Sequence, residues 1–332
     1  MNAHVAPSPL NLIDPYARVI KYVRLSVTDR CDFRCVYCMA EDMQFLPRER
    51  VLKLEEIVRL GKVFAGLGVE TFRLTGGEPL IRRDLPWLVE QLALHGEVVV
   101  TTNGSRLDQF AAPLKSAGLS RLNISLDTLD AAQFHALTRT GHLADVLRGI
   151  DAAQAVGFAI KLNVVMMKGR NDDQILPLVR FAVERGFDLS FIEEMPLGVI
   201  DEHSRQLAFM ASDEVRAVIE TEYALSPSQH HTRGPSRYWS IAGSPSRIGF
   251  ISPHSHNFCG DCNRVRVTSE GRLLLCLGNE IGTDLLPLLR SDAADEVLVA
   301  QIQRALLLKP EKHHFDEPDA PQILRFMNMT GG

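Results

Sequence analysis
The sequence predicts an α/β fold, with a parallel sheet curved or closed into a barrel and a smaller extension after it. Two observations carry this. From residue 22 to about 196, strand-like and helix-like stretches alternate through six units with no hairpin signal between them. Past residue 197 that alternation stops, and short strand and helix signals follow in a different order. A chain of 332 residues holds one large α/β domain plus an extension, or two domains. The division is expected at residues 1–210 and 211–332.

The expected strands cover residues 22–28, 71–75, 97–102, 121–127, 158–167 and 189–195. Between them, apolar residues recur at three-and-four spacing, as in Leu54, Ile57, Val58, Leu60 and Val63, or Ile175, Leu178, Val179 and Ala182. The strands themselves are unusual. Parallel strands covered on both faces read as continuous apolar runs, whereas four of these alternate. Val23, Leu25 and Val27 oppose Arg24, Ser26 and Thr28, and Phe72 and Leu74 oppose Arg73 and Thr75. Leu122, Ile124 and Leu126 oppose Asn123, Ser125 and Asp127, while Ile160, Leu162 and Val164 oppose Lys161 and Asn163. Helices must cover the apolar face, so the polar set faces the inside of the sheet. The expectation is a polar, cationic lumen suited to an anionic ligand. Solvated sheet edges do not explain four such strands.

In the extension, Ser212 with Asp213 and Glu214 marks a helix start. A Pro/Ser/His-rich loop spans 226–236, and 247–252 reads as a strand. Residues 264–268 pair with 272–276 across Ser269-Glu270-Gly271 as a hairpin. A final helix is expected over about 291–308, and the chain ends Thr330-Gly331-Gly332.

Composition narrows the function. A net charge of −5 argues against a general nucleic-acid binder, so any basic site must be local. No apolar run reaches the roughly 18 residues of a membrane span. The first fifteen residues, with Pro7, Pro9 and Asp14, lack the charged start and apolar core of a secretory signal. The six cysteines form two groups of three, which in a chain without an export signal favours metal over disulfides. A cytoplasmic protein with no membrane or nucleic-acid partner is expected.

The chemistry centres on Cys31-Asp32-Phe33-Arg34-Cys35-Val36-Tyr37-Cys38, three thiols in one loop behind the first strand. Thiolates suit zinc or iron–sulfur clusters. Three are one too few for a closed zinc site, whereas a cubane held by three cysteines keeps one iron open. A zinc loop completed by a distant ligand, or three unrelated thiols, are the alternatives. Thr75-Gly76-Gly77-Glu78-Pro79-Leu80 follows the second strand, its glycines allowing close backbone approach to a ligand. Phe258-Cys259-Gly260-Asp261-Cys262-Asn263-Arg264-Val265-Arg266-Val267, with Cys276 beyond, offers three more thiolates beside two arginines on one strand face. A structural zinc with His254 or His256 as fourth ligand is the alternative there.

With these motifs the chain resembles the radical S-adenosylmethionine (SAM) enzymes and, within them, the MoaA-type GTP 3′,8-cyclases of molybdenum cofactor biosynthesis. The likeness takes in residues 24–38, 73–80, 101–104, 123–127, 161–169 and 191–195, the second cysteine group and the Gly-Gly end. It implies an incomplete (β/α)6 TIM-like barrel and a C-terminal α+β extension carrying a second iron–sulfur cluster. By resemblance, Cys31, Cys35 and Cys38 hold a [4Fe–4S] cluster whose open iron is chelated by SAM, and Tyr37, Gly77, Ser125 and Met195 contact SAM. Cys259, Cys262 and Cys276 match ligands of a second [4Fe–4S] cluster, whose open iron takes the guanine of GTP. Arg24, Arg73, Thr102, Lys161, Arg264, Val265 and Arg266 match positions that contact GTP.

The implied reaction abstracts hydrogen from C3′ of the GTP ribose through a 5′-deoxyadenosyl radical. The carbon radical then closes onto C8, and reduction gives (8S)-3′,8-cyclo-7,8-dihydroguanosine 5′-triphosphate. The resemblance assigns no catalytic side chain beyond the cofactors. It implies an external one-electron donor, cyclic pyranopterin monophosphate synthase downstream, and a monomer or homodimer. Gly331-Gly332 matches a tail that threads into the active site. One departure stands out: Ser190 occupies a position where the family often has arginine, and either another residue such as Arg205 supplies that charge or the charge is dispensable.

Overall fold
The computed structural model describes residues 11–200, 204–315 and 323–331. Six strands form its centre: β1 (Tyr22–Ser26), β2 (Thr71–Thr75), β3 (Glu97–Thr102), β4 (Arg121–Ser125), β5 (Ala159–Met166) and β6 (Asp188–Glu193). They lie side by side in chain order, every adjacent pair parallel. The helices between them present the apolar stripes read from the sequence. Leu54–Gly66 buries Leu54, Ile57, Val58, Leu60 and Val63, and Ile175–Arg185 buries Ile175, Leu178, Val179 and Ala182. These side chains join the apolar faces of β1, β2, β4 and β5 in one continuous core.

The later chain extends this sheet instead of building its own. Strands β7 (Leu225–Pro227), β8 (Arg237–Ile241) and β9 (Arg247–Ile251) add to one edge, and β10 (Arg264–Val267), β11 (Arg272–Leu274) and β12 (Gly282–Asp284) add to the other. β9 runs parallel to β6 and β10 parallel to β1, while the outer pairs are antiparallel. Each outer group therefore satisfies the backbone donors and acceptors that an edge strand leaves open. The resulting order, β12-β11-β10-β1-β2-β3-β4-β5-β6-β9-β8-β7, is a mixed sheet that stays open among the described residues. Its curvature is nevertheless strong, because side chains from β1 to β6 and from β10 line a single cavity.

Boundaries differ from expectation where the chain bends over the cavity. β1, β4 and β6 stop at Ser26, Ser125 and Glu193, so Thr28, Asp127 and Met195 belong to the loops beyond the strand ends. The hairpin of β10 and β11 forms as read, and the last long helix is Asp295–Leu306, preceded by a separate turn at Leu286–Leu289. β7, β8 and β12 were not foreseen. Two are three residues long, too short to display a period. No helix among the described residues is long and apolar enough to cross a membrane.

Candidate functional site
Cys31, Cys35 and Cys38 lie in the loop beyond the C-terminal end of β1, the end of a parallel sheet where functional loops gather. This loop is pinned from outside. Arg34 and Val36 donate backbone N–H bonds to the Thr138 and Leu137 carbonyls at 2.9 and 3.0 Å. Asn103 Nδ2 and Ser105 Oγ each donate to the Asp32 carboxylate at 2.7 Å. The three thiols line the cavity. Burial, reinforced by neighbouring thiols and by Glu78 and Asp127, pushes all three well above their usual proton affinity. Thiolates there require a positive metal charge among them.

The Gly-Gly turn after β2 packs against this loop. A Cβ at Gly76 would stand 2.2 Å from the Thr28 carbonyl oxygen, and one at Gly77 would stand 2.2 Å from that of Arg30. The close approach expected towards a ligand is thus, for these atoms, an approach of backbone to backbone. Glu78, fully buried, accepts bonds from the Leu80 N–H at 2.9 Å, the Thr102 hydroxyl at 2.7 Å and the Asn103 N–H at 2.7 Å. It ties the exits of β2 and β3 together, and burial raises its carboxyl to about 7. Tyr37 donates its hydroxyl to Asp127 Oδ2 at 2.7 Å, while Asp127 Oδ1 accepts the Val165 N–H at 2.9 Å. Burial lifts Asp127 to about 6. Tyr37, Gly77, Ser125 and Met195 all stand on the cavity wall.

The second group occupies the other end. Cys259 and Cys262 precede β10, Cys276 follows β11, and the Asn263 carbonyl accepts the N–H groups of Lys21 and Tyr22. Because β10 is parallel to β1, this group sits at the N-terminal end of β1, opposite the first group. Five residues of strand, about 16 Å, lie between the two ends. All six cysteines are free thiols, and all six face the same cavity.

Between the groups lies a row of cations set by strand register. Arg266 on β10 is opposite Arg24 on β1, and Arg24 is opposite Arg73 on β2. Neighbouring strands stand about 4.8 Å apart, so three guanidinium groups leave one face side by side. None of them has a carboxylate partner among the described residues. Burial, then Arg266 and Arg73, pull Arg24 well below its ordinary value, and burial with Arg264 lowers Arg266 to about 10. Arg24 Nε, Asn123 Oδ1 and Asn163 Oδ1 are buried with no hydrogen-bond partner. Charge and orphaned polar atoms together call for a polyanion with hydrogen-bonding groups.

The other candidates are placed as follows. Arg73 donates to the Tyr22 hydroxyl and to Thr101 Oγ1, and Lys161 Nζ donates to the Tyr238 hydroxyl at 2.9 Å. Arg264 lies over the Phe258 ring, 5.1 Å from its centroid, with Nη2 3.9 Å from Cys262 Sγ. Thr102 lines the wall but spends its hydroxyl on Glu78. Val265 points the opposite way, into the core, as alternation between Arg264 and Arg266 requires. Ser190 is buried and shares a 2.8 Å hydrogen bond with Ser236. Arg205 binds Glu194 and the carbonyls of Leu197 and Gly198 and is not among the residues that line the cavity.

Sequence reasoning missed several wall residues. Arg121 stands at the foot of β4 on the same face as Asn123 and Ser125, so the alternation already contained its signal. Phe258, edge-on to His313, and Phe315, stacked on His313, lie beside the second cysteine group in irregular chain with no period to read. As far as it is described, the tail packs against the loops at the cavity. Met327 N–H bonds the Cys38 carbonyl, Asn328 Nδ2 bonds the Asp29 carbonyl, and the Gly331 carbonyl accepts from Arg266 at 3.1 Å. Gly332 lies outside the described residues.

The zinc alternatives fit poorly. His254 Nε2 is hydrogen-bonded to the Glu194 carbonyl and His256 Nε2 to Asp213, so neither completes the second group. Among the described residues, no three His, Cys, Asp or Glu side chains gather as the donor set of a single ion. Trios of soft thiols suit iron–sulfur clusters.

Residues 25–182 match the radical SAM superfamily, and residues 187–315 match Molybdenum Cofactor Synthesis C. A GTP 3′,8-cyclase of Ectopseudomonas mendocina is 57% identical over 97% of this chain and 98% of its own. GTP 3′,8-cyclase 2 of Pseudomonas aeruginosa is 58% identical over 98% of this chain and 100% of its own. The chain belongs to the GTP 3′,8-cyclase family. Among solved structures, Streptococcus suis SuiB bound to S-adenosylmethionine superposes with a TM-score of 0.64 over 95% of this chain and 78% of that one, at 15% identity. At that identity the likeness speaks for the fold, a radical SAM α/β architecture. Arg73 and the first thiol trio fall in the first matched region, Arg264, Arg266 and the second trio fall in the second, and Arg24 lies one residue ahead of the first.

Proposed function
We propose that this protein converts GTP and SAM to (8S)-3′,8-cyclo-7,8-dihydroguanosine 5′-triphosphate, the first step of molybdenum cofactor biosynthesis. The observation that carries this is the in-register row Arg266, Arg24, Arg73 lying between two trios of free thiols in one cavity. Family membership supplies the chemistry, and the row supplies a site for a triphosphate. Arginine's planar fork matches phosphate oxygens, and Lys161 adds a point charge on the same wall.

In this reading Cys31, Cys35 and Cys38 hold one [4Fe–4S] cluster and Cys259, Cys262 and Cys276 hold a second. The first cluster, with SAM bound, supplies the hydrogen-abstracting radical. The side chains bind, orient and exclude. Tyr37, Gly77, Ser125 and Met195 border the SAM end, while Arg264 and Arg266 border the second thiol trio and fix the nucleotide there. The buried wall keeps water and stray hydrogen donors from the reacting carbon. Gly331 closes the cavity beside Thr75, where it meets Arg266.

Residues 1–210 then act as an incomplete (β/α)6 barrel, and 211–332 as the extension that brings the second cluster and the GTP contacts Arg264, Val265 and Arg266. An external one-electron donor is required, and the product passes to cyclic pyranopterin monophosphate synthase. A cytoplasmic setting agrees with reduced thiols and with GTP as substrate. Replacing Arg264 and Arg266 by Ala tests the assignment. SAM cleavage should persist uncoupled while cyclised product disappears; product at the normal rate in both variants would show that the hairpin does not hold GTP.

A further inference from the structure
Lys309 is 3% exposed, yet no carboxylate pairs with it among the described residues. Its ammonium instead donates to Cys262 Sγ at 3.7 Å, to the Arg264 carbonyl at 3.0 Å and to the Leu275 carbonyl. A buried ammonium without an acidic partner is costly unless another anion balances it. The candidate anions here are the thiolates. Leu275 directly precedes Cys276, so one cation joins the Cys262 sulfur to the peptide leading into Cys276.

The placement of this lysine is built in. It follows the helix Asp295–Leu306, with its N–H on the Leu306 carbonyl at 3.0 Å. Arg18 then holds the next two residues through the Pro310 and Glu311 carbonyls, and bonds the Cys259 carbonyl at 2.8 Å with the same guanidinium. The first thiol trio has the opposite surroundings: Asp32, Glu78 and Asp127 stand near it. Lys309 and Arg264 thus bear on the Cys262 sulfur, where Asp32, Glu78 and Asp127 stand near the first trio.

We infer that Lys309 is a positioning residue of the second iron–sulfur site, donating an N–H···S bond to Cys262 and raising that site's reduction potential. This rests on the proposed second cluster. Reduction adds negative charge to a cluster, and a buried cation or N–H···S bond at a ligand sulfur favours the reduced form. Low local polarity enlarges the effect.

The test uses the full chain with Cys31, Cys35 and Cys38 replaced by Ala, so that only the second site reports. Iron is counted after anaerobic reconstitution, and the midpoint is read by EPR-monitored redox titration. Lys309→Met should hold the same iron and titrate at a more negative potential, and Lys309→Arg should recover most of the shift. If Lys309→Met cannot hold iron, Lys309→Gln, which keeps an N–H donor without the charge, takes its place and should also titrate lower. Full iron with an unmoved midpoint in the neutral variant overturns the role of Lys309 alone. A background protein that binds no iron overturns the second cluster itself.

Discussion

The Asp14–Arg18 pair gives the sharpest quantitative test of how the second thiol trio is held. Arg18 Nε donates to Asp14 Oδ2 at 2.6 Å, and both side chains are buried. Its Nη atoms bond three carbonyls, those of Cys259, Pro310 and Glu311, at 2.6–2.8 Å. Arg18→Met keeps the stem and removes the charge and every one of these bonds. Asp14 Oδ1 would still accept the Tyr16 and Arg18 N–H groups, but Oδ2 would be stranded. Removing one partner of a buried pair costs about 3–5 kcal/mol, because the other charge is left uncompensated. Asp14→Asn combined with Arg18→Met removes that stranded charge and should recover about 1–3 kcal/mol.

Urea unfolding of the reconstituted chain, followed by circular dichroism, reads both differences. Iron per chain should also fall from about eight towards four in Arg18→Met, since Cys259 and the segment carrying Lys309 lose their common anchor. An Arg18→Met chain that unfolds within about 0.5 kcal/mol of the parent would contradict this anchoring role. A double variant less stable than Arg18→Met would contradict it equally.

The carboxyls of Glu78 and Asp127 give a pH dependence. Their folded values, about 7 and about 6, lie above the ordinary 4.5 and 3.8. Protons held in the fold therefore contribute stability that is complete below the ordinary values and is lost as pH rises through about 6 and then about 7. Melting temperature should drop from about pH 4 to about pH 7 and level off above it, and Glu78→Gln should flatten part of that drop; an unchanged slope would place Glu78 among ordinary carboxylates. At the tail, a Cβ on Gly331 would lie 2.1 Å from Thr75 Cγ2, at a φ of +75°. Gly331→Ala should expel the tail, expose the C-terminus to carboxypeptidase and lower product formation. Protection and turnover equal to the parent would mean the tail is not seated there.

Much of this was legible because side-chain alternation in a strand is strict. Arg24, Arg73, Asn123 and Lys161 could be assigned to one face from their neighbours alone, and the structure puts them on one wall. The cysteine spacings likewise announced two thiol groups. Register was not legible, since nothing in the sequence says that β10 pairs with β1 or that Arg266, Arg24 and Arg73 fall in one row. That pairing joins residues more than 240 positions apart in the chain. Lys309, Arg18 and Glu78 were also hidden. Their roles depend on which carbonyls and sulfurs surround a buried charge, and single-residue identity carries no such information.

GTP is proposed to lie between the two thiol trios with its ribose presented to the SAM end. Anaerobic turnover with GTP deuterated at C3′, followed by mass analysis of the 5′-deoxyadenosine formed, tests it most directly. Deuterium in the deoxyadenosine is the predicted result. Unlabelled deoxyadenosine accompanying cyclised product would contradict it.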